Sequence, residues 1–199
     1  MIALGFLMLA LWLQMETPAL DNDYVRVTRN GASCASAQAP GCATDRIVVA
    51  LSNVDVNSIR GTRRLVRGDI AVFGPSDSFV QPVGGSYFEV VLKLNRPPVL
   101  SPKENIPPEK NAILHDGDRF FVFEERLQPG DTRARHTHSQ RVVIQLNATT
   151  LQQWPEGGDE VIREMRVDQP AFNEPVIHVV KNVGKQPLRG IVIEFKPEP

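Results

Sequence analysis

The sequence predicts an all-β fold of two similar units in tandem, and three observations carry that prediction. After residue 20 no stretch keeps apolar residues at i, i+3 and i+4 through three turns, so no amphipathic helix is encoded. Short runs rich in β-branched and aromatic residues recur instead, set apart by turns drawn from 14 glycines and 16 prolines. The runs also repeat. Asp21-Asn-Asp-Tyr-Val-Arg-Val27 parallels Asp116-Gly-Asp-Arg-Phe-Phe-Val122, and Arg46-Ile-Val-Val-Ala-Leu51 parallels Arg141-Val-Val-Ile-Gln-Leu146, both pairs 95 positions apart. Arg67–Phe73 then parallels Arg166–Phe172, 99 positions on, and Gly84 meets Gly184. The second half has gained a few residues around Trp154–Gly158.

At 199 residues the chain is long enough for one large or two small domains. Hydrophobic residues make up 42% and charged residues 23%, as in an ordinary soluble domain. A net charge of −1 supplies no broad attraction for phosphate backbones, so nucleic acid is not an expected partner.

The first thirteen residues carry no charged side chain. That is the length of a secretory apolar region and falls short of the ~20 residues a membrane helix needs. Residues 1–20 are therefore expected to form a signal-like segment, without a stable membrane span, and the protein to be exported (periplasmic or extracellular). The alternative is an N-terminal helix packed on the fold of a cytoplasmic protein. Cys34 and Cys42 lie in a small, polar, Gly/Pro-containing stretch and would close a disulfide in an oxidising compartment, or remain free thiols elsewhere. Residues 21–94 hold the first unit, with strand-like runs at Tyr24–Thr28, Arg46–Leu51, Arg67–Phe73 and Phe88–Leu94. Five prolines between Asn95 and Glu109 rule out a helix or central strand there, so 95–110 reads as a linker. Residues 111–199 form the second unit.

No histidine precedes residue 115, so any imidazole site belongs to the second unit. His136 and His138 follow Pro129-Gly130, and residues i and i+2 of a strand share a face. Both rings therefore enter one space. His178 comes forty residues after His138, with Asn182 four positions beyond it. Gly130, five residues, then His136-Thr137-His138 resembles the first motif of the cupin family, and His178 with Asn182 resembles the end of its second. The resemblance implies two cupin-type (double-stranded β-helix or jelly-roll) units. It also implies His136, His138 and His178 as ligands of a divalent transition metal (Fe, Zn, Mn, Ni or Cu), with His178 on a strand facing the other two across the barrel. The family's metal-binding Glu would fall at 142 or 143, where this chain has Val142 and Val143. Gln140 shares the parity of the histidines and offers a weaker carbonyl oxygen. Arg135, Asn182, Arg141 and Gln145 are candidates for the pocket lining. Glu124 and Glu125, on the preceding strand, are expected at a solvated strand end, the alternative being that one of them reaches inward. His115 is expected at an exposed boundary, and Trp154 in core or edge packing or as a lid.

Two functional readings follow from this pattern. One is a metal-dependent oxygenase, isomerase or hydrolase acting on a small organic molecule. The other is a non-catalytic cupin, a small-ligand-binding or structural module without metal. A homodimer is compatible with both. The sequence leaves open whether the protein is an enzyme, since this fold hosts many functions.

Overall fold

The computed structural model describes residues 17–32, 43–58, 61–75, 77, 80–97 and 111–196. The signal-like segment through residue 16, Cys34, Cys42 and linker residues 98–110 lie outside the described residues. Seventeen strands and no helix occur among them. The first half contributes β1 (Leu20–Asp21), β2 (Val25–Arg29), β3 (Arg46–Ala50), β4 (Val54–Ser58), β5 (Gly61–Leu65), β6 (Ile70–Phe73), β7 (Val80–Val83) and β8 (Tyr87–Leu92). The second contributes β9 (Asn111–Asp116), β10 (Phe120–Leu127), β11 (Thr132–His138), β12 (Arg141–Gln145) and β13 (Thr149–Pro155). It ends with β14 (Val161–Met165), β15 (Pro170–Asn173), β16 (Val176–Asn182) and β17 (Leu188–Phe195). No described helix is long and apolar enough to cross a membrane.

The strands form two jelly-roll units of antiparallel sheets. The first has a five-stranded sheet in the order β1-β2-β8-β3-β6 and a three-stranded sheet β5-β4-β7. In the second unit the five-stranded sheet runs β9-β10-β17-β12-β15 and the smaller sheet β14-β13-β16-β11. The large sheets share one strand order once β1, β2, β3, β6 and β8 are matched with β9, β10, β12, β15 and β17. Of the expected Arg67–Phe73 run only Ile70–Phe73 is strand. Gly68 has φ +91°, and the Asp69 carboxylate accepts from the Val66 N–H at 3.0 Å, which turns the chain before β6 begins.

β3 and β12 are buried at every position, although a strand with one wet face would alternate. Each large sheet has a barrel on one face and the other unit's sheet on the other. Val25, Val27, Ile47 and Val49 form a single apolar cluster with Val122, Val142, Ile144 and Ile193. The opposite faces fill the barrels, with Val48, Ala50, Val54, Leu65 and Tyr87 in the first. Phe121, Phe123, Val143 and Val192 do the same in the second. The contact is also pinned at its rim. Arg67 donates to the Leu51 carbonyl at 2.7 Å, to the Leu146 carbonyl at 2.6 Å and to the Asp168 carboxylate at 2.7 Å. One guanidinium thus ties the ends of two matching strands.

Candidate metal centre

The smaller sheet of the second unit builds the site. β11 and β16 are antiparallel neighbours, and His136 stands directly opposite His178 in their register. The expectation that His178 faces the pair from across the barrel is therefore corrected: all three rings come from adjacent strands of one sheet. A register shift lies between Arg133 and His136. Such a bulge puts two residues of one strand against one of the other and resets the alternation. As a result Arg133 and His136, three apart, are both buried, while Ala134 and Arg135 are exposed.

The three imidazoles are 2–5% exposed. His136 Nε2 lies 3.1 Å from His138 Nε2 and 3.1 Å from His178 Nε2. One nitrogen from each ring falls within 4.8 Å of the others, and no carboxylate joins the group among the described residues. Nitrogens bound to one ion at about 2.0–2.1 Å and about 90–109° apart lie about 2.8–3.4 Å from each other, so the two shortest separations fit a shared ion.

The outer nitrogens decide what the inner ones present. A carbonyl oxygen only accepts, so the Ala134 carbonyl 2.8 Å from His136 Nδ1 holds a proton there and leaves a lone pair on Nε2. Glu194, from β17, places Oε2 2.8 Å from His138 Nδ1, and its Oε1 accepts from the Ser139 N–H at 2.8 Å. As a carboxylate it fixes the same tautomer on His138. His178 Nδ1 is buried with no hydrogen-bond partner. The donor set therefore suits a cation.

The site resists protons. Burial, with the charge of Arg133 adding to it, keeps His136 below the ordinary imidazole range. Burial and the nearby Arg141 hold His138 well below it. Burial and the two other rings push His178 down to about 2. Neutral imidazole is the form that ligates. Burial pushes Glu194 in turn up to about 7, against the pull of the Ser139 N–H and Arg141.

Several sequence assignments change. Arg135 is exposed and pairs with Glu156 at 2.9 Å on the surface, so it does not line the site. Asn182 is fully buried, but its amide is spent on the neighbouring loop. Its Oδ1 accepts from Thr149 Oγ1 at 2.8 Å and from the Gly184 N–H at 3.0 Å. Its Nδ2 donates to the Leu127 and Gln186 carbonyls, both at 2.9 Å. A Cβ on Gly184 would lie 2.3 Å from Thr149 Oγ1, so only glycine fits there. Glu124 and Glu125 are not solvated: Glu124 is buried and pairs with Arg126 and Arg189, and Glu125 pairs with the buried Arg133. Burial opposes ionisation of Glu125, yet Arg133 and the nearby histidines keep its carboxyl below the usual range. Gln140 is buried, with Oε1 unpartnered. His115 is half-buried and stacks on Phe120, and Trp154 donates to Glu160 at 3.0 Å.

No protein-family model and no curated protein matches the chain. Solved structures do match. A cupin 2 conserved barrel domain protein from Leptotrichia buccalis is 9% identical, covering 89% of this chain and 86% of its own, with a TM-score of 0.53. A cupin domain from Bordetella pertussis Tohama I is 23% identical over 53% of this chain and 100% of its own, at TM-score 0.41. AerE from Microcystis aeruginosa is 14% identical over 87% and 86%, at 0.49. The Leptotrichia likeness spans both units and establishes the architecture. The chain has the cupin fold, in two tandem units, and its second unit carries the three-histidine cluster.

Proposed function

We propose that the second unit is a metal-dependent site for a small organic molecule, with His136, His138 and His178 as the protein ligands of one divalent transition metal. The observation that carries this reading is the convergence of three neutral, buried imidazoles, two of them oriented by outer hydrogen bonds. Imidazole donors suit Zn, Cu, Fe and Ni better than Mn, which favours oxygen. When bound, such an ion supplies a Lewis acid and, for iron or copper, redox chemistry, at coordination positions the protein leaves open. The chain's own residues do the rest. Glu194 and the Ala134 carbonyl hold the tautomers, and Phe123 stacks flat on His138 with ring centres 6.2 Å apart. The Glu125–Arg133 pair keeps a buried, compensated charge beside the rings.

Val142 and Val143 place no carboxylate among the ligands. Val142 belongs to the apolar contact between units and Val143 to the barrel core. A metal held by histidines alone keeps more of its positive charge, which favours an anionic ligand. Metal analysis of tag-free protein, alongside the His136→Ala/His138→Ala double variant, tests the reading. It predicts close to one equivalent in the wild type and a trace in the variant. Equal, sub-stoichiometric metal in both would leave the non-catalytic binding module as the function.

A further inference from the structure

We propose that the cleft beside this centre binds a small organic carboxylate, held by Arg141 and Arg163 with the Gln145 amide between its polar and apolar walls. This names the ligand class of the site proposed above and rests on that reading of the barrel. The cleft holds about 360 Å³, within the ~300–1,000 Å³ typical of small-molecule pockets. Arg141, Val143 and Gln145 alternate along β12 and so share its inner face. Across the opening, Arg163 and Met165 project from β14, opposite Leu151 and Thr149 in the ladder. Arg141 is also the link to the metal centre: it stands opposite Glu194 in the β12–β17 register, and Glu194 contacts His138.

The cleft gathers more positive than negative side chains, with Arg141 buried and Arg163 exposed at the opening. Arg141 is 8% exposed, yet its guanidinium donates only to carbonyls, those of Ser139 at 3.2 Å and Glu174 at 3.0 Å. Among the described residues it has no carboxylate at ion-pair distance, and neither does Arg163. Burial disfavours the Arg141 charge, Glu194 and Glu125 offset part of that cost, and Arg163 adds a second positive charge to the same field. Arg141, Arg163 and Arg166 against the one carboxylate of Glu164 leave the cleft lining net positive. Gln145 is 4% exposed, and its Oε1 has no partner.

The first unit serves as an internal control. Its matching arginine, Arg46, donates to the Gly74 and Asp77 carbonyls, so stapling a loop explains an arginine at this position. Stapling does not explain the unpaired Gln145 Oε1, because the residue matching Gln145 is Ala50. A carboxylate answers the positive excess of the lining, and it accepts from the Gln145 amide once that group is turned to present its N–H; the unpaired Oε1, itself an acceptor, does not select for an anion. Val143, Met165 and Ala171 supply an apolar wall for the rest of the molecule.

Calorimetric titration of the full chain with succinate, 2-oxoglutarate and benzoate, against succinamide and benzamide, tests this. At least one acid should bind with a Kd below about 1 mM, and its amide at least about tenfold more weakly. Arg163→Gln should weaken the acid by about tenfold while leaving the amide, the melting temperature and zinc uptake unchanged. Because Arg141 also staples a loop, Gln145→Leu is the second variant, expected to weaken the acid in the same way. No acid binding below about 10 mM, equal binding of acid and amide, or indifference to both substitutions would overturn the proposal. Acid binding by protein that takes up no zinc would remove the metal reading and keep this one. Zinc uptake without acid binding would do the reverse.

Discussion

Replacing Glu194 with Gln removes one acceptor from a place that uses two. In the native site Oε1 receives the Ser139 N–H and Oε2 faces His138 Nδ1, each at 2.8 Å. An amide keeps one acceptor and gains a donor. If its oxygen stays on Ser139, its NH₂ faces His138 Nδ1, which must then accept. The imidazole proton moves to Nε2, the atom that has to ligate. If the amide turns instead, the buried Ser139 N–H is left facing a donor. Either way one ligand is withdrawn or one buried donor orphaned, and loss of such an outer partner costs about 10–100-fold in metal affinity, or roughly 1.4–2.7 kcal/mol. Metal-free protein should be little affected, since burial already disfavours the charge of Glu194. Competition for Zn²⁺ against a chromophoric chelator measures the affinity, and Glu125→Gln serves as a comparison that leaves the His138 tautomer alone. Zinc affinity of Glu194→Gln within about twofold of wild type would refute the reasoning.

Three further outcomes follow from the same structure. Ile144, 0% exposed in the contact between units, should lose about 2–5 kcal/mol on substitution by Ala and still unfold in one urea transition; two transitions, one of them unshifted, would show that the units do not share a core. His178 stays neutral down to about pH 2 when folded but titrates near 6.5 unfolded, so the stability it contributes is full above that pH and lost as pH falls. In metal-free protein the stability difference between wild type and His178→Gln should therefore shrink by about 1.4 kcal/mol per pH unit below about pH 6, and a constant difference would contradict the buried neutral ring. Asn182→Ala, losing four hydrogen bonds and orphaning buried groups, should cost roughly 2–4 kcal/mol, whereas Arg135→Ala should stay within about 0.5. A zinc affinity altered more than about threefold by Arg135→Ala would return that residue to the site.

The large-sheet strands were legible because alternation, turn residues and the 95-residue spacing of similar runs point to one architecture, whereas β4, β5, β7, β13 and β14 of the smaller sheets lie outside the runs that repeat. The histidines were legible because parity on a strand is fixed: His136 and His138 share a face whatever else happens. Their neighbours were harder. Arg133 is inside because of a bulge, and nothing in Thr-Arg-Ala-Arg-His marks where the alternation resets. Glu125 follows Phe121 and Phe123 by the same parity, and that signal was present, but a carboxylate near a strand end reads as solvated. Glu194 interrupts the apolar run Ile191–Phe195, and a lone acid in such a run was the available clue to a buried polar network. Asn182 stands at the spacing the resemblance expects, yet it clamps a loop, because spacing specifies a position and not a role. Which strand lies beside β11 depends on long-range pairing, which composition does not encode; hence His178 was expected across the barrel and sits next door.

The most direct test of the central claim is titration of metal-free, tag-free protein with Co²⁺, followed by its visible d–d absorption. The structure predicts saturation at one equivalent per chain, with the signal lost in His136→Ala, His138→Ala and His178→Ala and retained in Arg135→Ala. Absorption that persists in the three histidine variants, or no saturable signal in the wild type, would contradict a metal centre in the second unit.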